Sequence, residues 1–263
     1  SVDEFVESLG DNKLAFQTVD NAWTSMLFLT ALIANEEGGA ELLQQYDGEK
    51  LYDFNQEPII NAVTKLKEIW DTNAASNSVG AAYADAANGF MSEQSAVIFN
   101  GSWMNSEFSA DSSGNWSNNF DGANVKADYY PGNVAICNTR SYGRWTMTTG
   151  GTDEEKECAL AFLAFIYSQE ELETFALTEG CQIPNMEYSD EFLAKLDADP
   201  LVKAQTELVT EDTTIVPSIA SIMVDSVAND VFANDLVQLV NGAITPEQFC
   251  QDLTTKSEEA VAD

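Results

Sequence analysis

Residues 23–34 read WTSMLFLTALIA, with apolar side chains on every side of the helix they would form. That pattern predicts a buried helix rather than an amphipathic one, closed by Gly38-Gly39. Residues 58–71 behave differently: Ile59, Ile60, Val63, Leu66, Ile69 and Trp70 fall on one helical stripe. Asn55 is placed to cap this second helix, and Pro58 is tolerated in its first turn. Ser1-Val2-Asp3-Glu4 is a capping box for a helix running to about Leu9. Further helices are expected over 81–91, over 153–167 and 169–178 with a break near Ser168, and over 191–196 and 201–209. Residues 217–240 predict a long, interrupted helical region, and Thr245-Pro246-Glu247 opens a terminal helix.

Short apolar runs between these helices predict strands at 14–16, 96–99, 125–130, 133–137 and 144–149. Residues 109–122 are polar and turn-rich and read as a surface loop. Strands interspersed with helices argue for an α/β fold, and no repeat of 20–50 residues is visible. One junction stands out: the strand at 96–99 runs directly into Asn100-Gly101-Ser102-Trp103. A strand exit that presents so large a ring suits either ligand contact or packing against the next helix.

Charge narrows the partners. Asp and Glu number 44 against 11 Lys and Arg, a net charge of −33. Such a field repels nucleic acid, anionic lipid and phosphorylated ligands, leaving neutral or cationic small molecules. His is absent, which removes His-activated nucleophiles and His-ligated zinc. Cys137, Cys158, Cys181 and Cys250 show no CxxC spacing, so two disulfides, one, or four thiols are all open. Asp111 to Asp121 contains D-x-S-x-N but lacks the turn Gly and the final Glu of a calcium loop. No metal or cofactor is expected. The chain opens at Ser1 rather than Met, the start expected of a processed or cut polypeptide.

The order of segments resembles that of a known family. Residues 87–103, ANGFMSEQSAVIFNGSW, resemble the pattern F-x-x-G-x-x-A-M-x-x-x-G-x-W, with Glu93-Gln94-Ser95 in place of a Gly-containing turn. SVDEF at 1–5 resembles T-W-x-E-[FIL], with Val2 where Trp is usual. ECALAFLAFIYSQEE at 157–171, TEGCQIP at 178–184 and NGAITPEQ at 241–248 resemble a helix pair, its exit and a C-terminal helix. Together they resemble extracellular solute-binding proteins of the sugar-binding, maltodextrin-binding-like type that serve ABC importers. The resemblance implies a periplasmic-binding-protein-like fold (class II type), in which two α/β lobes close on a sugar. Residues 1–143 and 197–263 then form the C-terminal lobe, and 144–196 belong to the N-terminal lobe and hinge, that lobe being largely missing. It further implies a monomer without catalytic activity, located outside the cytoplasm in the periplasm or as a lipoprotein. Its partners would be an oligosaccharide and the permease subunits.

Sugars are held by aromatic rings stacked on their apolar faces and by polar groups on their hydroxyls. Trp103 and Asn100 at the strand exit are candidates on both counts. Asp20, Asn21 and Trp23 lie where the family places a carboxylate and an aromatic. Asp20 can accept from paired hydroxyls or act as a helix N-cap, and Trp23 can stack on ligand or begin the buried helix. Arg144 and Trp145 open a later strand; Arg144 is expected in a structural ion pair, with ligand contact as the second role. A carboxylate-pair glycoside enzyme and a cell-surface interaction module are the competing readings. If the helices on either side of Ser168 fold back on each other, Cys158 and Cys181 come to the same end and can bridge.

Overall fold

A computed structural model describes residues 1–108, 121–137, 145–180, 183, 186–198, 201, 208 and 210–262. The elements are α1 (Val2–Leu9), β1 (Leu14–Ala15), α2 (Trp23–Asn35), α3 (Gly39–Gln45), α4 (Glu57–Asn73), α5 (Tyr83–Met91) and β2 (Val97–Ile98). They continue as β3 (Val134–Ile136), α6 (Asp153–Ile166), α7 (Gln169–Thr178), α8 (Asp190–Ala198), β4 (Thr214–Val216), α9 (Ile219–Ile222), α10 (Phe232–Val240) and α11 (Pro246–Ala262).

The fold is α/β. β1 pairs in parallel with β2, Leu14 opposite Val97 and Ala15 opposite Ile98. β3 pairs in parallel with β4, Val134 opposite Thr214 and Ile136 opposite Val216. A parallel pair needs a long crossover; α2 to α5 supply it for β1 and β2, and the segment holding α6 to α8 lies between β3 and β4.

α2 is buried all round, from Thr24 through Ile33 with Leu27 half-buried, as its unbroken apolar sequence requires. α4 buries only its stripe, with Ile59, Val63, Leu66 and Ile69 inside. Five aromatic rings knit these elements together. Phe28 of α2 and Phe99 stack at 4.0 Å and 11°, Phe16 and Trp70 of α4 at 4.5 Å and 19°, and Phe5 of α1 lies 6.3 Å from both Phe28 and Phe99. Each fully buried ring contributes roughly 1.5–3 kcal/mol by leaving water.

Several expectations are corrected. Ser1 and Glu4 form the capping box foreseen for α1, and Thr245 and Gln248 form a reciprocal pair at the start of α11. α4 has Gln56, not Asn55, at its N-cap position and begins without a side-chain cap; the Asn55 amide donates to Thr254 and Gln251. Residues 125–130 are not a strand; only Tyr130 bridges back to Val134. Residues 145–149 are likewise irregular, and β4 was not foreseen. The loop at 109–122 falls largely outside the described residues, as does most of the helix expected at 201–209. Cys158 is an exposed free thiol, so the expected bridge to Cys181 is not formed; Cys181 itself lies outside the described residues.

Asp235 of α10 is buried, and its Oδ2 has no hydrogen-bond partner among the described residues. Burial pushes its carboxyl up to about 6, helped by Asp252 and opposed by the Gln238 hydrogen bond and by Lys256, all three facing it. A raised folded value means the contribution is complete below the unfolded value and lost as pH rises through about 6. Asp235→Asn, which cannot ionise, should therefore match the parent at pH 3, below the unfolded value. At pH 7.5 it should exceed the parent by about 1 kcal/mol, or roughly 2–4 °C in Tm, after allowance for solvent screening. Thermal melts at the two pH values check this.

Candidate functional site

β1 and β2 run side by side in the same direction, so the segments that follow them emerge together. Ligands of open parallel α/β sheets gather at that carboxyl edge. The turn Asp20–Ala22 follows β1, and the short helical segment Ser102–Phe108 follows β2. α5 lies between them in sequence and packs against both strands.

Three rings meet at this edge. Trp23 lies 5.2 Å from Tyr83 at 36° and 5.9 Å from Trp103 at 53°. Trp23 and Tyr83 are half-buried, and Trp103 is 40% exposed. A Cβ on Gly101 would stand 2.3 Å from the Trp103 ring, so the ring lies back across the turn only because residue 101 has no side chain. That explains the Asn-Gly-Ser-Trp run at the end of β2. Gly180, beyond α7, approaches the same segment closely: a Cβ there would come 2.6 Å from the Ser102 carbonyl oxygen.

Polar groups surround the rings. The Asn100 amide donates to the Tyr83 hydroxyl at 3.1 Å, and that hydroxyl donates to Glu107 Oε1 at 2.9 Å. Asn100 Oδ1 accepts from the Gly101 N–H at 2.9 Å, and the Asn100 carbonyl accepts from the Tyr130 hydroxyl at 2.8 Å. Burial pushes the Tyr83 phenol well above its ordinary value; the Asn100 bond opposes this and Glu107 adds to it. Tyr83 thus remains a neutral donor across the physiological range. The Tyr83 backbone N–H donates to Asp20 Oδ2 at 3.4 Å, and the Asn21 amide donates to Asn229 Oδ1 at 3.2 Å.

Of the residues singled out from sequence, Asp20, Trp23, Asn100 and Trp103 come together here. Asn21 lies at the edge of the group, turned toward Asn229. Trp145 does not join them in any described contact: it is 57% exposed and sits edge-on to Phe162 of α6 at 5.6 Å. Arg144 lies outside the described residues. Sequence reasoning missed Tyr83, Glu107 and Asn229. Tyr83 opens an otherwise Ala-rich helix, and its being the lone aromatic in that first turn was the available signal. Among the described residues no group of three or more His, Cys, Asp or Glu could hold a metal ion.

The chain belongs to the bacterial extracellular solute-binding protein family, whose model matches residues 1–204. No curated protein matches it. Its fold is similar to that of a chitin oligosaccharide binding protein, with a TM-score of 0.77 and 19% identity over 100% of this chain and 65% of that one. It is also similar to a structure from work on xylan utilization by the thermophilic bacterium Caldanaerobius polysaccharolyticus, with a TM-score of 0.60 and 16% identity over 96% of this chain. This chain thus spans 65% and 63% of the length of the two structures. Among the described residues no helix is long and apolar enough to cross a membrane.

The Gly101 geometry is directly testable. Gly101→Ala should push the Trp103 ring away from Trp23 and change the tryptophan emission spectrum. Stability should fall by only about 1 kcal/mol, because the ring is already 40% exposed and can move out into solvent. The spectral change should vanish when Gly101→Ala is made in a Trp103→Phe background.

Proposed function

We propose that this chain carries the sugar-contacting face of a non-enzymatic solute-binding protein that takes a neutral oligosaccharide. The observation that carries this reading is the convergence of Trp23, Tyr83 and Trp103 with Asp20 and Asn100 at the carboxyl edge of β1 and β2. Rings of this kind stack on the apolar face of a pyranose, while carboxylate and amide groups order its hydroxyls. The net charge of −33 favours uncharged ligands over phosphates and uronates. The similar chitin oligosaccharide binding protein supports a polymer-derived sugar as the ligand class.

On this reading the protein works outside the cytoplasm as a monomer, in the periplasm or held to the membrane as a lipoprotein, and passes its ligand to the permease subunits of an ABC importer. Residues 1–143 and 197–263 form one lobe, and 144–196 belong to a second lobe and hinge. Two features favour that division. The main core draws on residues from Val2 to Phe99, Val134 and Val216 to Leu253, whereas Ala176, Phe192 and Leu196 form a separate cluster. Leu160, Phe162, Phe165 and Tyr167 of the α6 region are also left exposed, on opposite sides of the helix, as a helix awaiting partners would be.

Tryptophan-fluorescence titration and thermal shift with N-acetylglucosamine and xylose oligomers test the proposal. Saturable binding without cleavage is expected, with a concentration-dependent rise in Tm. Trp103→Ala should weaken it by about tenfold, the effect of losing roughly 1.4 kcal/mol of stacking. Tighter binding of a sugar phosphate than of the neutral oligomers would overturn it, as would release of shortened glycans.

A further inference from the structure

Gln17 has no exposed surface. A buried primary amide is costly unless its donors and acceptor are satisfied, and the partners of this one are specific. Its Nε2 donates to the Val19 carbonyl at 3.0 Å and to the Asp20 carbonyl at 3.4 Å. Its Oε1 accepts from the buried Thr24 hydroxyl at 3.0 Å, and its backbone carbonyl accepts from the Ser25 hydroxyl at 2.7 Å. One side chain therefore grips the chain before the turn and after it.

What lies between is strained. Asp20, Asn21 and Ala22 have φ of 52°, 58° and 57° in succession. The left-handed region costs an L-residue about 1–2 kcal/mol, less for Asp and Asn than for Ala. Three consecutive residues do not stay there on local preference. The Ala22 N–H bond to the Val19 carbonyl closes the turn, and Asn21 reaches only Asn229, a residue of the exposed surface. Thr18 and Val19 donate their N–H groups to the Ala81 carbonyl ahead of the turn, but the side chain that joins the turn to the helix after it is that of Gln17.

We infer that Gln17 is a positioning residue, whose buried amide holds this left-handed turn and so sets Asp20 and Trp23 against Tyr83. As far as ligand is concerned, the inference rests on the sugar-binding reading; the placement of Trp23 can be tested without it. A side chain of the same length without the amide should release the turn. Asp20 then leaves the Tyr83 N–H, and the Trp23 ring leaves Tyr83.

The test uses Gln17→Met and, since that variant can lose its fold, Thr24→Val, which removes only the hydroxyl from Oε1. Indole N–H resonances of the five tryptophans, assigned by Trp23→Phe and its counterparts, are recorded without ligand. The Trp23 resonance should move in both variants while those of Trp70 and Trp145 stay in place. Affinity for N-acetylglucosamine or xylose oligomers should fall about tenfold in Gln17→Met. In an Asp20→Ala background the same substitution should cost clearly less than tenfold, because one of the two residues it positions is gone while Trp23 remains. An unmoved Trp23 resonance in both variants would overturn the inference, as would an equal affinity loss in both backgrounds. If the parent binds no sugar, the sugar reading alone fails, and the Trp23 resonance still decides the role of Gln17.

Discussion

Phe28 and Phe99 lie face to face at 4.0 Å, and the geometry of the carboxyl edge that holds the candidate site is referred to that contact. Phe28 belongs to α2, which begins with Trp23; Phe99 ends the run through β2 and is followed by Asn100. The two elements that carry the site are therefore joined through the core only a few residues from it. β1 and β2 are two residues each, too short for their ladder to fix the strand exits alone. Packing supplies the rest, since interiors at crystal-like density transmit small displacements rather than absorb them. Tyr130 extends the same stack to 6.0 Å beyond Phe99 and donates its hydroxyl to the Asn100 carbonyl. A polar bond anchored in an aromatic core thus places the amide that orders Tyr83 and Glu107.

The helices were largely legible because their signals are local. A capping box at Ser1, a stripe from Ile59 to Trp70, an apolar run from Trp23 and Pro246 in a first turn each sit within one window of sequence. The strands were less legible for an equally physical reason. β4 is Thr-Ile-Val after a polar stretch, and it forms because Asn133 and β3 offer carbonyl and amide partners some 80 positions away in sequence. Among the described residues, the runs at 125–130 and 145–149 carry strand-like residues but form no ladder beyond the single bridge of Tyr130 to Val134. At the site, Trp103 and Trp23 were visible as large rings at element junctions. Tyr83 and Glu107 were not, since their partnership is a contact across 24 positions with no motif.

The Asp20-Asn21-Ala22 turn shows where local rules give way. Read as sequence, Asp20 suits equally a ligand contact and an ordinary N-cap for the helix at Trp23. In the fold, α2 is preceded by Ala22 in the left-handed region and receives no side-chain cap. Ala lacks the tolerance for that region that Gly, Asn and Asp have, and it is wholly buried. Tertiary contacts have overridden propensity at the point where a carboxylate and an indole must be presented together. Strain held by surrounding structure is a recurrent feature of ligand sites.

The balance between rings and carboxylates also sets what this face can do by itself. Stacking needs only one surface, and the 40% exposure of Trp103 leaves a face for it. Hydrogen bonds from Asp20 or Asn100 to a sugar hydroxyl compete with water as long as the site stays open, and contribute only about 0.5–1.5 kcal/mol each. Excluding that water strengthens every polar contact, which is what the second lobe of the proposed arrangement adds. The close approach of Gly180 to Ser102 places the end of the α6–α7 hairpin against the very segment that carries Trp103. On the proposed division into lobes, the segment that carries Trp103 would be the part of this face nearest the second lobe, and lobe position would bear first on the stacking ring.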